Sequence, residues 1–422
     1  MMTTRLRLVG LVLVLISTSA VAASPPVSPA TAPAVNLWRL PPPANEAAPA
    51  HRPVRKLVAV EGKGYLETVD GYPVLHLKGT PAEMGKQHGT LLRQVVRDNI
   101  SFLLGQDAGA AAGAGGAGAA TKPVSLNGRT VTRAAVAAIL TTIFENRVPP
   151  RFMDEMKALA EAAGLPAEQV IAGNLIPEAF HCSGFALLPK ATADGQLLHG
   201  RVLDYGIDLR LQERAVLIIQ EPDGRTPFVN VSYAGFIGSV TGMNAAGVSI
   251  GEMGGGGTGR WAGIPMSFLV RMVLEDASTL DQAIAVFTDN PRTCEYYYVI
   301  ADARAGSAVG MRAVPEKVEL VRPGQAHPLL PRPVPDTVVL SAGTRYQKLA
   351  ELVQAGRGTF TQASAIRLMD GPVAMRSNLH NALMVPGLGV LHVANAGPNR
   401  EPAWKQTYHR FDLRELTANR PG

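Results

Sequence analysis

The stretch FHCSGFALLPKATADGQLLHGRVLDYG, residues 180–206, holds one of the two cysteines of a 422-residue chain. Cys182 leads it, and Arg201 and Asp204 close it three residues apart. A thiolate is the reactive form of cysteine, and a nearby guanidinium favours it. A carboxylate can orient an amine or another hydrogen-bond donor beside such a nucleophile. No side-chain base stands out. On a strand His181 projects from the face opposite Cys182, and His199 reads equally as a sheet residue. On residue chemistry alone, a Cys182–Cys294 disulfide and a reactive Cys182 both stand. So do a local Arg201–Asp204 ion pair and a site.

The elements around these residues decide whether they meet. Asp194-Gly195 is a two-residue hairpin signal. Taken alone as the turn, it pairs Cys182 with Ile207. Proline cannot donate to a ladder, so Pro189-Lys190-Ala191 can loop out and shift the register by three. Cys182 then faces Asp204, with Arg201 in reach. Upstream, Thr80, Pro81 and Glu83 supply a capping threonine, a first-turn proline and a capping-box glutamate for a helix. Further helices are expected over 133–145, over 150–163 closing at Gly164, and in PAEQVIAGNLIPEAF. After Cys182 come short β-like runs split by turns, with helical patterns near 265–275, 279–288 and 362–369. The expectation is an α+β fold, a helical N-terminal third packed on mixed or antiparallel sheets.

The first residues carry Arg5 and Arg7, the apolar run Leu8 to Ile16, and Ala20-Val21-Ala22. This is the pattern of a cleavable signal peptide over 1–22, and it implies export to the periplasm or medium. The run is too short to span a bilayer, so no stable membrane span is expected. A Pro/Ala-rich linker over 23–53 and a Gly/Ala-rich insertion between Gly105 and Ala120 follow from composition. At 46% hydrophobic and 18% charged the chain is globular. Its net charge of +6 is scattered without a dense basic run, which argues against nucleic acid as a partner.

The segment CSGFALLPKATADGQLLHGRVLDYG resembles the start of the catalytic chain in the cysteine N-terminal-nucleophile hydrolases. It is most similar to the isopenicillin N acyltransferase-like and acid ceramidase-like branches, and bile salt hydrolases and penicillin V acylases share the opening. The shared pattern reads here as Cys182-Ser183, Asp194-Gly195, Gly200-Arg201 and Asp204. Upstream LKGTPAEMGKQHGTLL and downstream GFIGSVTGMNAAGVSIGE extend the likeness over most of the chain from about Leu77. Val202 replaces an asparagine common after Gly-Arg, and tyrosines in CEYYYVIADARAG replace another.

The resemblance implies an αββα sandwich, with residues 54–181 as the helical N-terminal part and 182–422 as the catalytic chain of one domain. It implies self-cleavage between His181 and Cys182, the two products staying associated. The freed α-amino group of Cys182 then serves as the base, with a pKa of about 7.7–8.0 that suits neutral pH. Arg201 would tune the thiolate or bind the substrate carbonyl, and Asp204 would hold the amine. The implied substrate is a small N-acyl amide, with no cofactor. Glu252 resembles an acidic residue that ceramidase-like relatives keep near the cysteine. Asn244 reads either as a turn residue or as an oxyanion donor.

Two rival readings remain. GVSIG, residues 247–251, matches a serine nucleophile elbow with Ser249, although the flanks read as a turn and a strand rather than strand and helix. An exported binding protein on an inactive hydrolase fold is the other. GEMGGGGTGR lacks the Gly-Lys-Ser/Thr ending of a phosphate loop. The dispersed histidines, His380, His392 and His409 among them, give no metal-ligand spacing.

Overall fold

The structure, a computed structural model, describes residues 35–41, 51–105, 124–126, 129–131, 141–142, 144, 146–175, 181–255, 260 and 262–421. The signal-peptide stretch, most of the Gly/Ala-rich insertion and residues 133–140, 143 and 145 of the helix expected over 133–145 lie outside them.

Strands β1 (Arg55–Glu61), β2 (Gly64–Val69) and β3 (Tyr72–Gly79) come first, followed by helices α1 (Pro81–Leu91) and α2 (Arg93–Leu103). A small hairpin, β4 (Val124–Leu126) and β5 (Arg129–Val131), precedes α3 (Pro150–Ala163) and α4 (Ala167–Asn174). Six strands come next: β6 (His181–Leu187), β7 (Leu198–Asp204), β8 (Ala215–Pro222), β9 (Phe228–Tyr233), β10 (Thr241–Asn244) and β11 (Val248–Gly254). Helices α5 (Met266–Asp276) and α6 (Leu280–Thr288) lead to β12 (Tyr296–Asp302), β13 (Ser307–Ala313), β14 (Val318–Val321) and β15 (Thr337–Leu340). The chain closes with α7 (Gly343–Gly356), α8 (Gln362–Arg367), β16 (His380–Val385), β17 (Val390–Asn395), β18 (His409–Asp412) and α9 (Leu413–Ala418).

Ten strands form one sheet in the order β1-β2-β3-β8-β9-β10-β11-β12-β13-β14, and six form another, β15-β6-β7-β16-β17-β18. Every pairing in the two is antiparallel except β3 with β8. The sheets stack face to face. Met243, Leu391 and Phe411 fill one half of the space between them, and Ala186, Met253, Val299 and Val338 fill the other. Helices α1 to α6 cover the outer face of the large sheet, and α7 and α8 cover that of the small one. The layers are therefore α, β, β, α, the sandwich the resemblance implies.

Thr80 and Glu83 form the expected capping box, but the helix breaks at Leu92 and resumes as α2. In α1, a Cβ on Gly85 or Gly89 would lie 2.2 or 2.4 Å from the Glu155 and Leu159 carbonyl oxygens of α3. Small residues four apart thus bring two helix backbones together. The N-terminal third is less helical than expected, since β1 to β3 belong to the large sheet. Edge strand β1 alternates half-buried and exposed residues with Val58 and Val60 outward, which weakens its sequence pattern. Both α7 and the three strands came without a sequence signal strong enough to mark them.

Candidate active site

The inner sheet face carries the site. Cys182, the second residue of β6, faces the space between the sheets and is 7% exposed. Its cross-strand partner is Leu203, not Asp204. The register is one residue from the expected one, and that single step decides which face each side chain takes. Arg201, paired with Gly184, shares the inner face with Cys182 and lies diagonal to it. Asp204, paired with His181, projects to the outer face. There it meets α7, where Arg345 bridges it by an ion pair and also donates to Ser183 Oγ at 2.6 Å. The Met375 backbone N–H donates to its other oxygen at 3.0 Å. So the carboxylate sits behind the strand, and its backbone N–H, not its side chain, reaches forward to the thiol.

Pro189-Lys190-Ala191 do leave the ladder, as a short 3-10 turn. The excursion is longer than three residues, because it is tied elsewhere. The Leu188 N–H donates to the Asp336 carbonyl, and the Ala193 N–H to that of Phe360, at 3.0 and 2.9 Å.

The electrostatics of the pocket follow from burial. The thiol of Cys182 is pushed up to about 11 by burial, with Glu252 and Asp204 adding to the rise. Arg201 and the Asp204 backbone N–H pull the other way and lose. In the intact chain burial thus outweighs the pull of Arg201 on the thiol. Burial likewise raises the Asp204 carboxyl, against Arg345, the Met375 N–H, Arg201 and Asn378. Arg201 is fully buried and spans two strands and two sheets: Nη1 donates to the Val202 carbonyl at 2.5 Å, and Nη2 to Glu252 at 3.4 Å. Glu252 therefore belongs to the site.

Asn244 does not. Its side chain donates to the Leu274 and Ala277 carbonyls and accepts from the Ala246 and Val248 N–H groups, so its capacity is spent on the β10–β11 turn and the end of α5. Ser249 lies inside β11, fully buried, with strand on both sides. It is no strand-to-helix elbow. Its hydroxyl meets His199 Nδ1 at 2.8 Å, and burial drives that imidazole down to about 3. No disulfide joins Cys182 and Cys294, which removes the disulfide reading. Residues 256–259 of the glycine-rich stretch, and the His181 side chain, lie outside the described parts.

Sequence reasoning missed Arg345. It is the first charged residue of α7 and the closest cation to Asp204, but 141 residues separate the two in the chain. A cleft borders the site, lined by Leu203, Tyr205, Leu211, Tyr233 and Phe236. Asn230, Ser232, Glu252 and Ser267 line it too. Among the described residues no helix is long and apolar enough to cross a membrane.

Sequence comparison shows what this αββα sandwich, with a cysteine and a buried arginine on its inner strands, is similar to. The family model for acyl-coenzyme A:6-aminopenicillanic acid acyl-transferase matches residues 192–327. The chain is 25% identical over 379 residues to protein dcd1B of Dictyostelium discoideum, covering 82% of this chain and 75% of that one. It is 26% identical over 189 residues to acid ceramidase of Rattus norvegicus, covering 38% of this chain and 46% of the ceramidase. The chain thus spans less than half the length of that enzyme. Among solved structures, the N-acylethanolamine-hydrolyzing acid amidase ortholog of Caenorhabditis elegans is 18% identical with a TM-score of 0.39, over 55% of this chain and 100% of that one. The acyl-transferase and acid ceramidase matches are the two branches that the CSGF…GRVLD segment resembles. Over part of its length the chain is thus similar to an acyl-transferase family and to acid ceramidase.

Proposed function

We propose that the protein is an exported, self-activating amidohydrolase or acyltransferase in which Cys182 is the nucleophile. The observation that carries this reading is the inner-face placement of the Cys182 thiol diagonal to buried Arg201, beside a partly apolar cleft. In the first step the Cys182 thiol attacks the His181 carbonyl, the peptide nitrogen becomes the free α-amine, and water releases the His181 carboxylate. The mature amine takes the thiol proton, Cys182 Sγ attacks the amide carbonyl of a small N-acyl substrate, and the proton passes to the departing amine. Water or a second amine then takes the acyl group from sulfur. Asp204 is behind the strand, with its backbone N–H toward the thiol, so its carboxylate holds Arg345 and the loop at Met375. It fixes the strand end from which the α-amine emerges. Ordered packing of α1 to α4 against the large sheet keeps both cleavage products together.

The test is the size of the purified protein on a denaturing gel. Wild type runs as two chains split before Cys182, and Cys182→Ala runs as one. Mature wild-type protein with an intact 181–182 bond refutes self-activation. If Cys182→Ala retains turnover of an N-acyl amide panel, the nucleophile assignment is wrong.

A further inference from the structure

The cleft near Cys182 is lined by apolar and polar residues, and one of the polar groups has no partner in the protein. Ser267, the second residue of α5, is 3% exposed and lines the cleft, yet its Oγ makes no hydrogen bond. Its neighbours do not share this state. The Asn230 amide donates to the Gly238 carbonyl at 2.9 Å, and its oxygen accepts from Ser239 Oγ at 2.9 Å. Leaving a hydroxyl buried and unmatched is costly, so such groups in native proteins call for an explanation. Gly238 packs directly against it. A Cβ on Gly238 would lie 2.7 Å from both Ser267 Cβ and Oγ. Leu203, Tyr205, Leu211, Tyr233 and Phe236 give the same cleft apolar and aromatic surface. Leu203 is also the cross-strand partner of Cys182, so the cleft reaches the strand pair that carries the thiol.

We infer that Ser267 is a specificity-determining residue whose hydroxyl pairs with a hydrogen-bonding substituent, a hydroxyl or an amino group, on an otherwise apolar substrate. This rests on the reading of Cys182 as the nucleophile of an amidase. A site that hydrogen-bonds a substrate hydroxyl discriminates against the analogue lacking it, because its own polar group is then left unmatched. One neutral hydrogen bond corresponds to about threefold to tenfold in affinity. The substituent can be carried by the acyl part or by the amine part, and the same chemistry serves both.

The experiment measures binding in the Cys182→Ala protein, so that it does not depend on turnover. Three ligands of matched length are titrated by calorimetry: an N-acyl alkylamine, its analogue with a terminal hydroxyl on the amine, and its analogue with a hydroxyl on the acyl chain. One hydroxylated ligand is expected to bind about threefold to tenfold more tightly than the plain amide, and which one identifies the part that faces Ser267. Ser267→Ala should erase that preference and leave the plain amide within twofold. Gly238→Ala, whose methyl group would crowd Ser267 Oγ, should erase it too. A preference that survives Ser267→Ala, or equal binding of all three ligands, overturns the proposal. Kinetics on the wild type separate the two readings. Turnover that is lost in Cys182→Ala but indifferent to Ser267→Ala on every ligand removes the Ser267 assignment alone. A hydroxyl preference in binding without turnover by any wild-type preparation removes the amidase reading alone.

Discussion

Replacing Arg345 by methionine tests the pairing that the structure places behind the nucleophile strand. The Asp204 side chain is fully buried and that of Arg345 is 16% exposed. Removing one partner of a buried ion pair costs about 3–5 kcal/mol, because the other charge is stranded. Asp204 keeps the Met375 N–H and Asn378, and the arginine retains some solvent, so about 2–3 kcal/mol is expected. The loss includes the Arg345 bonds to Ser183 Oγ and the Val373 carbonyl. A double-mutant cycle isolates the pair: Arg345→Met, Asp204→Asn and both, all in the Cys182→Ala protein so that one intact chain unfolds. Urea denaturation should give a coupling of about 1.5–2.5 kcal/mol.

The pH dependence follows from Asp204. Burial raises its carboxyl in the folded state, so the folded protein holds this proton more tightly than the unfolded chain does. Its contribution to stability is therefore greatest below the unfolded pKa and is lost as pH rises through the folded one. Arg345 opposes the rise, and deleting it moves the folded pKa higher still. The stability deficit of Arg345→Met should then be small in acid, where Asp204 is protonated in both proteins, and grow towards neutral pH. If the two substitutions add within about 0.5 kcal/mol, or the deficit does not change with pH, the carboxylate and guanidinium do not act as a pair.

Three further outcomes are expected. Ser249→Ala should leave amide turnover within about twofold but cost about 1–3 kcal/mol in urea unfolding, since it strips His199 of its one hydrogen-bond partner. Turnover that collapses with the fold intact would restore the serine reading. Gly200→Ala places a Cβ 2.1 Å from the Phe185 ring and should destabilise by about 1–3 kcal/mol or more, with Phe185→Leu relieving part of it. The absence of any relief would mean that the clash lies elsewhere. In wild type, acylation by amide substrate should rise with pH as the freed α-amine loses its proton near about pH 7.7–8.0. A rate that tracks a group titrating near 6 or above 9 would assign the base to something else.

What could be read in the sequence was local. Thr80, Pro81 and Glu83 sit within one turn, and their helix start needs nothing from the rest of the chain. Gly164, the left-handed end of α3, is the same kind of signal. Cys182, Arg201 and Glu252 gather on or beside the inner face because strand alternation and one arginine's reach suffice. The register of the Cys182 hairpin is a different matter. Asp194 does hydrogen-bond within its turn, its oxygen accepting from the Gln196 N–H at 3.1 Å. Yet the strand offset is fixed by Asp336 and Phe360, which grip residues 188 and 193 from far along the chain. A turn motif carries no information about such partners. Because side chains alternate along a strand, an error of one residue exchanges the two faces. It is why Asp204 looked like the partner of the thiol and is instead the partner of Arg345. The pH prediction above separates the two arrangements. A carboxylate beside the thiol would respond to Cys182→Ala, whereas one behind the strand responds to Arg345→Met.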